Sequence, residues 1–423
     1  MALTAARAKT VGNSILAMFF IQGFVQTTYL PRIPELIKQL EVSFTTWGLI
    51  IGLAGAGGIL GLIFTNRLIS RFGTKVMTIV GGSLQAAFLG ALAFTNSPFI
   101  FFVLQAAMGF AGSMLNIALN SQSVALQKAL NKVVIGKFHA AWSIGAASSA
   151  GIAGFFATFM PLTIHLTLIP LVGILVIFLA GSKMLSGAED GHGKSGKANK
   201  ASTAKKIPFF KSPGQVWLLA AGLFTGVFGE LAMMDWSAVF AKTTMGLEPG
   251  VGAIPYTAFA TTMIIGRLSI GRLTKRFHIS DLSRIGGLFG SVAMMSGVLA
   301  GALLSSADKT LALVVASALF ALAGLGTAPL VPSFFSAAGY VKGLNTAQVL
   351  ARMSLVNTLV VLVAKIALGA LAESAGLVIA FIFPTTMMLF AALIAGVVAK
   401  RAKSNEAAAN AFPATGAMSI IHE

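Results

Sequence analysis

The sequence predicts an all-α membrane protein with twelve transmembrane helices in two six-helix bundles, both chain ends lying in the cytoplasm. Three observations predict it: a composition too apolar for water, apolar runs of bilayer length, and basic residues confined to alternate loops. Of 423 residues, 56% are hydrophobic and 10% charged, and the mean hydropathy is +0.87. Soluble domains carry roughly 25% charged residues. A water-soluble globule this rich in apolar side chains could not hide them all, whereas a lipid bilayer accepts them. The net charge of +18 does not indicate nucleic acid, because the basic residues fall between apolar runs and not on a soluble face. There is no cysteine and there are five scattered histidines. Disulfides and thiolate metal sites are therefore excluded, and neither a metal centre nor another cofactor is expected.

A spanning helix needs about 20 mostly apolar residues. The first candidate, 11–30, follows Arg7 and Lys9, and its length suits a span better than the apolar core of a signal peptide. Segments 45–66, 75–96, 99–125, 138–160 and 162–182 complete the first half. The second half holds 214–240, 252–272, 283–305, 309–332, 347–371 and 375–399. Pro31, Pro98, Pro161 and Pro213 mark helix ends, since proline lacks an N–H and clashes with the preceding turn. Residues 183–213, rich in Gly, Ser, Ala and Lys, read as a flexible basic cytoplasmic linker between bundles 1–182 and 214–402. Residues 403–423 read as a disordered cytoplasmic tail.

Basic residues set the orientation. One set of loops carries Arg7, Lys9, Arg67, Arg71, Lys75, Lys128, Lys132 and Lys137, then the linker lysines. It continues with Arg272, Lys275, Arg276, Arg284, Lys342, Lys400, Arg401 and Lys403, while the opposite loops hold Arg32, Lys38, Lys242 and Lys309. The bias never reverses, so both ends are expected in the cytoplasm, as an even number of spans also requires. A short repeat then relates the halves. Asn66-Arg-Leu-Ile-Ser-Arg-Phe-Gly73 follows the second segment, and Gly271-Arg-Leu-Thr-Lys-Arg-Phe-His278 stands at the matching place in the second half. Arg67/Arg272, Leu68/Leu273, Arg71/Arg276 and Phe72/Phe277 coincide, and Gly61 aligns with Gly266. Two ordinary positive-inside loops are the plainer explanation, but the shared Leu and Phe favour a parallel duplication with its axis along the membrane normal.

Six plus six helices, the middle linker and the loop Asn66-x-x-x-Ser70-Arg71-Phe72-Gly73-Thr74-Lys75 resemble the major facilitator superfamily. The family loop usually carries an acidic residue where Ser70 stands, so a charge-relay role for this loop does not carry over. Leu130-Asn131-Lys132, His139-Ala-Ala-Trp142-Ser-Ile-Gly145, Glu230-x-x-x-x-Asp235-Trp236 and Gly369-Ala-Leu-Ala-Glu373 resemble the bacterial fucose-permease-like branch of largely uncharacterised inner-membrane proteins. The resemblance implies alternating access by rocking of the halves around a cavity lined by the first, fourth, seventh and tenth helices. It implies no particular substrate, because such a fold hosts many functions.

Ionisable and polar groups inside a bilayer are costly and point to function. Glu230 and Asp235 are the acidic residues read inside an apolar span, and both are candidate proton-coupling groups. Asp235 stands five positions after Glu230, which places it about 7.5 Å further out, near the boundary, and turns the two about 140° apart. Desolvation favours a neutral carboxyl, which suits Glu230 to proton uptake; a structural carboxylate is the competing reading for each. Lys365 lies at a similar depth, within reach of either acid across the two halves, or free to snorkel.

Candidate substrate-binding residues are Gln22 and Gln26, which with Tyr29 form one helical stripe, Asn116 and Asn120, Asn357, Lys365, Trp142 and Trp236. Interhelical hydrogen bonds compete as the reading of the amides, and an interfacial anchor as that of Trp236. Arg71, Gly73, His139 and Arg276 are candidates for gating at the cytoplasmic loops. No phosphate-binding loop or catalytic constellation is visible, so an enzyme is not expected. The expectation is a proton-coupled secondary transporter of a small polar, sugar-like solute, monomeric, in the bacterial inner membrane. An exporter of amphipathic compounds and a non-transporting sensor or scaffold are the alternatives.

Overall fold

Most of the long helices start where a side chain caps the unpaired N–H groups of the first turn, or where a proline, which has no N–H to leave unpaired, stands at the start. The computed structural model describes residues 3–130, 134–187, 189–190, 208–248, 250–341, 343–344 and 346–411. Thr4 caps α1 (Ala5–Thr27) by accepting from the Arg7 N–H. Ser43 caps α2 (Phe44–Phe72) by accepting from the Thr46 N–H. After α3 (Thr74–Leu92), Pro98 opens α4 (Pro98–Leu130), which is followed by α5 (Ile135–Ala157). Pro161 and Pro213 hold the cap positions of α6 (Leu162–Gly181) and α7 (Gly214–Thr243). In α8 (Ile254–Leu273) a proline again lies in the first turn, and His278 caps α9 (Ile279–Leu304) through Nδ1. Asp308 caps α10 (Lys309–Ala338) by accepting from the Thr310 and Leu311 N–H groups. α11 (Thr346–Ala375) and α12 (Ile382–Ala411) complete the chain.

Among the described residues there is no strand, and eleven helices are long and apolar enough to cross a membrane. The twelfth, α8, carries Arg267 and Arg272 and is less apolar. Observed boundaries depart from the expected ones by a few residues, mostly because spans extend past the apolar core. α12 continues to Ala411, beyond the point where a tail was expected. Asn131, Lys132, Lys342 and residues 191–207 and 412–423 lie outside the described residues, and with them most of the expected linker and tail.

Both halves use one partner scheme. In the first half α3 packs along α4, α2 on α4, α3 on α6 and α1 on α5. In the second, α9 packs along α10, α8 on α10, α9 on α12 and α7 on α11. These contacts are close because glycine removes the side chain between backbones. A Cβ on Gly23 would lie 2.2 Å from the Trp142 carbonyl oxygen, and one on Gly145 2.1 Å from that of Phe20. The aligned turns differ. Gly73 has φ 81° and ψ 160°, a conformation open in practice to glycine alone, whereas His278 is extended at φ −68° and acts as a cap.

The halves meet on the face opposite the start of α1. There the first part of α2 lies along α11, and the end of α5 packs against the turn that leads into α8. The Phe44 N–H donates to the Glu373 carboxylate at 2.7 Å. A Cβ on Gly48 would come within 2.9 Å of the Gly369 Cα. On the terminal face, the segment after α6 is fastened to the first half and does not swing free from residue 183 as expected. Arg7 donates to Glu189 at 2.8 and 3.0 Å and to the carbonyls of Lys183 and Met184 at 2.7 and 2.9 Å. The Gln122 amide pairs with both backbone groups of Leu185, at 2.9 and 3.0 Å.

Replacing Gly145 by Val must push α1 and α5 apart, since the obstacle is backbone. Overpacking of this kind costs about 1–3 kcal/mol, and the expected result is a lower melting temperature in detergent with loss of monodispersity; an unshifted melt would disprove the tight contact. Hydrogen bonding from Arg7 is the main influence holding the Glu189 carboxyl down, from an ordinary 4.5 to about 2. A depressed carboxyl contributes stability that is present above its unfolded value and lost as pH falls through the folded one. The melting-temperature gap between the parent chain and Glu189→Gln should therefore be constant near neutrality and close between pH 4.5 and about 2. A gap that persists unchanged through that window would rule the anchor out.

Candidate functional site

A cavity of about 440 Å³ lies between the two halves beneath the sealed face. Helical spacing selects its lining. On α1, Gln22, Gln26 and Tyr29 recur at intervals of four and three residues and share one stripe, and all three line the cavity. On α4 the lining includes Gln105, Met108, Gly112 and Asn116, again one helical face. Gln85 of α3 completes the polar wall of the first half. From the second half come Asp235, Leu231 and Met234 on α7 and Lys365 on α11. Gln26 and Asn116 are solvent-exposed and the opposite face is sealed, so the cavity opens toward the terminal face.

Two features dominate the chemistry. Lys365 Nζ lies 2.7 Å from Asp235 Oδ2, with side-chain exposures of 18% and 9%. Removing such charges from water is expensive unless they pair, and each meets that requirement in the other. The second feature is a set of buried amides. Gln22 and Gln105 are 3% and 7% exposed. Gln105 Nε2 donates to the Tyr29 hydroxyl at 3.2 Å, but the Oε1 atoms of both glutamines lack a hydrogen-bond partner in the protein. Buried acceptors without partners are uncommon, and these two belong to residues that line an open cavity.

The structure separates Glu230 from Asp235. Glu230 turns to α8, where its carboxylate accepts from Arg267 at 2.6 Å, and it does not line the cavity. Asp235 was expected near the outer boundary, but it is buried in the cavity wall, because the far end of α7 is covered by the short helix Ile33–Leu40. Its bridge to Lys365 joins α7 and α11 of the same half, so it does not cross between the halves.

Several other expected binding residues lie elsewhere. Trp236 is 1% exposed and packs edge-on against Phe44 at 5.7 Å, at the contact between halves. Trp142 is half-buried, and its carbonyl faces Gly23. Asn120 donates to the carbonyl and side-chain oxygens of Asn116, at 2.8 and 3.1 Å, and lies outside the lining. Asn357 is also outside it, with a buried and unpartnered Oδ1. The four gating candidates stand apart from the cavity. Arg71 sits over the Phe72 ring at 5.2 Å, and Gly73 forms the turn described above. His139 meets Phe19 edge-on at 5.2 Å, and Arg276 is exposed in the turn after α8.

Sequence reading missed Gln85, Gln105 and Arg267. Gln105 precedes Asn116 by three helical turns, which places both on one face; that spacing was the available signal. Arg267 falls inside the expected span 252–272, and its charge was the signal there. Arg32, counted as a loop residue, is 1% exposed. It forms an ion pair with Glu35, and its Nη1 lies 3.3 Å from His165 Nδ1, whose Nε2 is 2.9 Å from the Thr28 hydroxyl.

Known proteins agree with this architecture. The chain is 26% identical over 368 residues to an uncharacterised transporter of the major facilitator type from Yersinia pestis, covering 86% of this chain and 89% of that one. Among solved structures it resembles a variant of the nucleoside transporter NupG, with a TM-score of 0.71 at 11% identity over 92% of this chain and 99% of the other. It also resembles a D-xylose-proton symporter, with a TM-score of 0.65 at 14% identity over 92% and 97%. Residues 15–341 match the Major Facilitator Superfamily. With twelve long helices among the described residues, in two like halves around a polar cavity, the chain belongs to that superfamily and is a multi-pass membrane transporter, not an enzyme.

Proposed function

We propose that this chain is a proton-coupled carrier of a small polar solute, working by alternating access in the bacterial cytoplasmic membrane as a monomer, with its terminal face toward the cytoplasm. The observation that carries the reading is the Asp235–Lys365 pair in the cavity wall. A carboxylate held by an ammonium has two clear states: ionised and bridged, or protonated with the lysine released. Protonation therefore changes what binds α7 to α11, and a local charge change of this kind can bias a two-state element. Asp235 suits this role better than Glu230, because it lines the space that solute and protons enter. Glu230, tied to Arg267, is the secondary candidate. The D-xylose-proton symporter named above shares the fold and supports coupling as a reading for this chain. Positive-inside bias supports the orientation, and the polar lining counts against a non-transporting scaffold.

The coupling claim is tested in proteoliposomes carrying an imposed proton gradient, with D-xylose and uridine as the first solutes. Asp235→Asn is expected to lower proton-driven accumulation at least tenfold; accumulation equal to that of the parent chain would remove Asp235 from the mechanism. The pair also makes a stability prediction. Lys365→Met leaves a buried carboxylate uncompensated and should cost about 3–5 kcal/mol, whereas Asp235→Asn combined with Lys365→Met should recover most of it. Thermal melts of both variants check this, and a double variant no more stable than the single one would contradict the pairing.

A further inference from the structure

The short helix Ile33–Leu40 belongs to one half by its bonds and covers the other by its position. Its start is fixed by Arg32, which is 1% exposed. A guanidinium carries five N–H donors in a rigid plane and no acceptor, and here it finds its partners in the first half. Nε and Nη2 bind the Glu35 carboxylate, Nη2 also donates to the Met160 carbonyl at 3.0 Å, and Nη1 donates to His165 Nδ1 at 3.3 Å. Because Nδ1 accepts, the His165 ring proton sits on Nε2, which donates to the Thr28 hydroxyl at 2.9 Å. The other end is fixed by Gln39, whose Nε2 donates to the Ala93 and Thr95 carbonyls at 3.2 and 2.8 Å, just past the end of α3. Ile33, Leu36 and Leu40 are buried beneath the helix. An eight-residue helix is too short to keep its shape alone in water, so these fastenings set its place. Each of these polar bonds stays within the first half. The helix nevertheless lies over the far end of α7 in the second half, where the Asp235 side chain is 9% exposed.

We infer that this helix is the outer lid of the coupling site and that Arg32 is its positioning residue, an assignment that rests on the coupling role proposed above for Asp235. The cavity opens toward the terminal face, so a proton on Asp235 exchanges with that side. Exchange with the outer side is blocked while the lid lies on α7. Coupling requires that the carboxylate meet one side at a time, because access to both at once lets protons run down their gradient without solute. Fastening the lid to the first half meets that requirement. When the halves part at the sealed face, the lid leaves α7 together with the first half and at no other time. A loosely held lid would lift by itself while the cavity is still open on the terminal side.

The chain has no cysteine, so a single Met234→Cys change reports access to the cavity wall beside Asp235. A membrane-impermeant maleimide is applied to sealed right-side-out and inside-out membrane vesicles. Arg32→Gln and Gln39→Leu should each speed labelling from the outer side about fivefold, the population shift for one lost hydrogen bond. Labelling from the terminal side should stay within about twofold of the parent rate. A carrier that merely shifts toward its outward-open form would label faster from outside and slower from the terminal side. That pattern, or unchanged outer labelling, overturns the lid. In proteoliposomes with an imposed pH gradient and no solute, both variants should collapse the gradient about fivefold faster than the parent chain, and adding Asp235→Asn should restore the parent rate. A leak no faster than the parent's, or one that survives Asp235→Asn, overturns the link between lid and coupling site. Lys38→Gln, on the exposed side of the same helix, should change neither readout. If Arg32→Gln does not fold, Gln39→Leu, which removes no buried charge, decides alone. Failure of the coupling reading shows separately, as parent-level accumulation by Asp235→Asn.

Discussion

A charge taken out of water must be met by an opposite charge, and this constraint organises the interior. Glu230 meets Arg267 at 2.6 Å, Asp235 meets Lys365 at 2.7 Å, and Arg32 meets Glu35. Each pair lies within one half of the molecule. Arg32 and Glu35 belong to the first, and the other four residues to the second. Helix positions follow from these unions: α7 is held to α8 by one and to α11 by the other. The third fastens the first turn of the short helix Ile33–Leu40, and its Arg32 also reaches His165 of α6.

Between the halves the contacts have a different character. Gly48 lies against Gly369, Phe44 against Trp236, and Gly154 against Ala253. Such contacts are short-ranged and uncharged, apart from the Glu373 carboxylate on the Phe44 N–H. Strong electrostatic bonds hold each bundle rigid, and weak van der Waals contacts join the bundles. Under the proposed cycle, rocking of one bundle against the other breaks contacts of the second kind and leaves the first intact, so the motion does not expose an unpaired charge to the bilayer.

Much of the architecture was legible because one signal survives without tertiary context: the length of the apolar runs. The α1 stripe was legible for a similar reason, since Gln22, Gln26 and Tyr29 are neighbours on any helix. Asp235 and Lys365 stood out as ions in apolar surroundings, but their union was not readable. Helical phase told which way Asp235 turned relative to Glu230, yet not which helix it would find there. Arg32 was obscured by a counting rule that treats basic residues as markers of orientation: it lies close to a loop and is drawn into the interior by Glu35, which the rule ignores. Arg267 lies inside an apolar span, and only the fold shows that its partner is Glu230. Gln85 and Gln105 were missed because a single amide in an apolar helix carries no pattern of its own until a neighbour such as Asn116 is measured against it.

The glycines at the sealed face have a consequence for the energetics of opening. A Cβ on Gly369 would stand 2.6 Å from the Phe44 carbonyl oxygen, and one on Gly52 2.8 Å from that of Leu362. What keeps this gate shut is thus missing matter: two main chains fit because nothing projects between them. A methyl group added there would act as a wedge, favouring whichever arrangement spreads α2 from α11. The balance between the two accessible shapes of the carrier is tuned by empty volume at a few positions remote from the solute, independently of how tightly the solute is held.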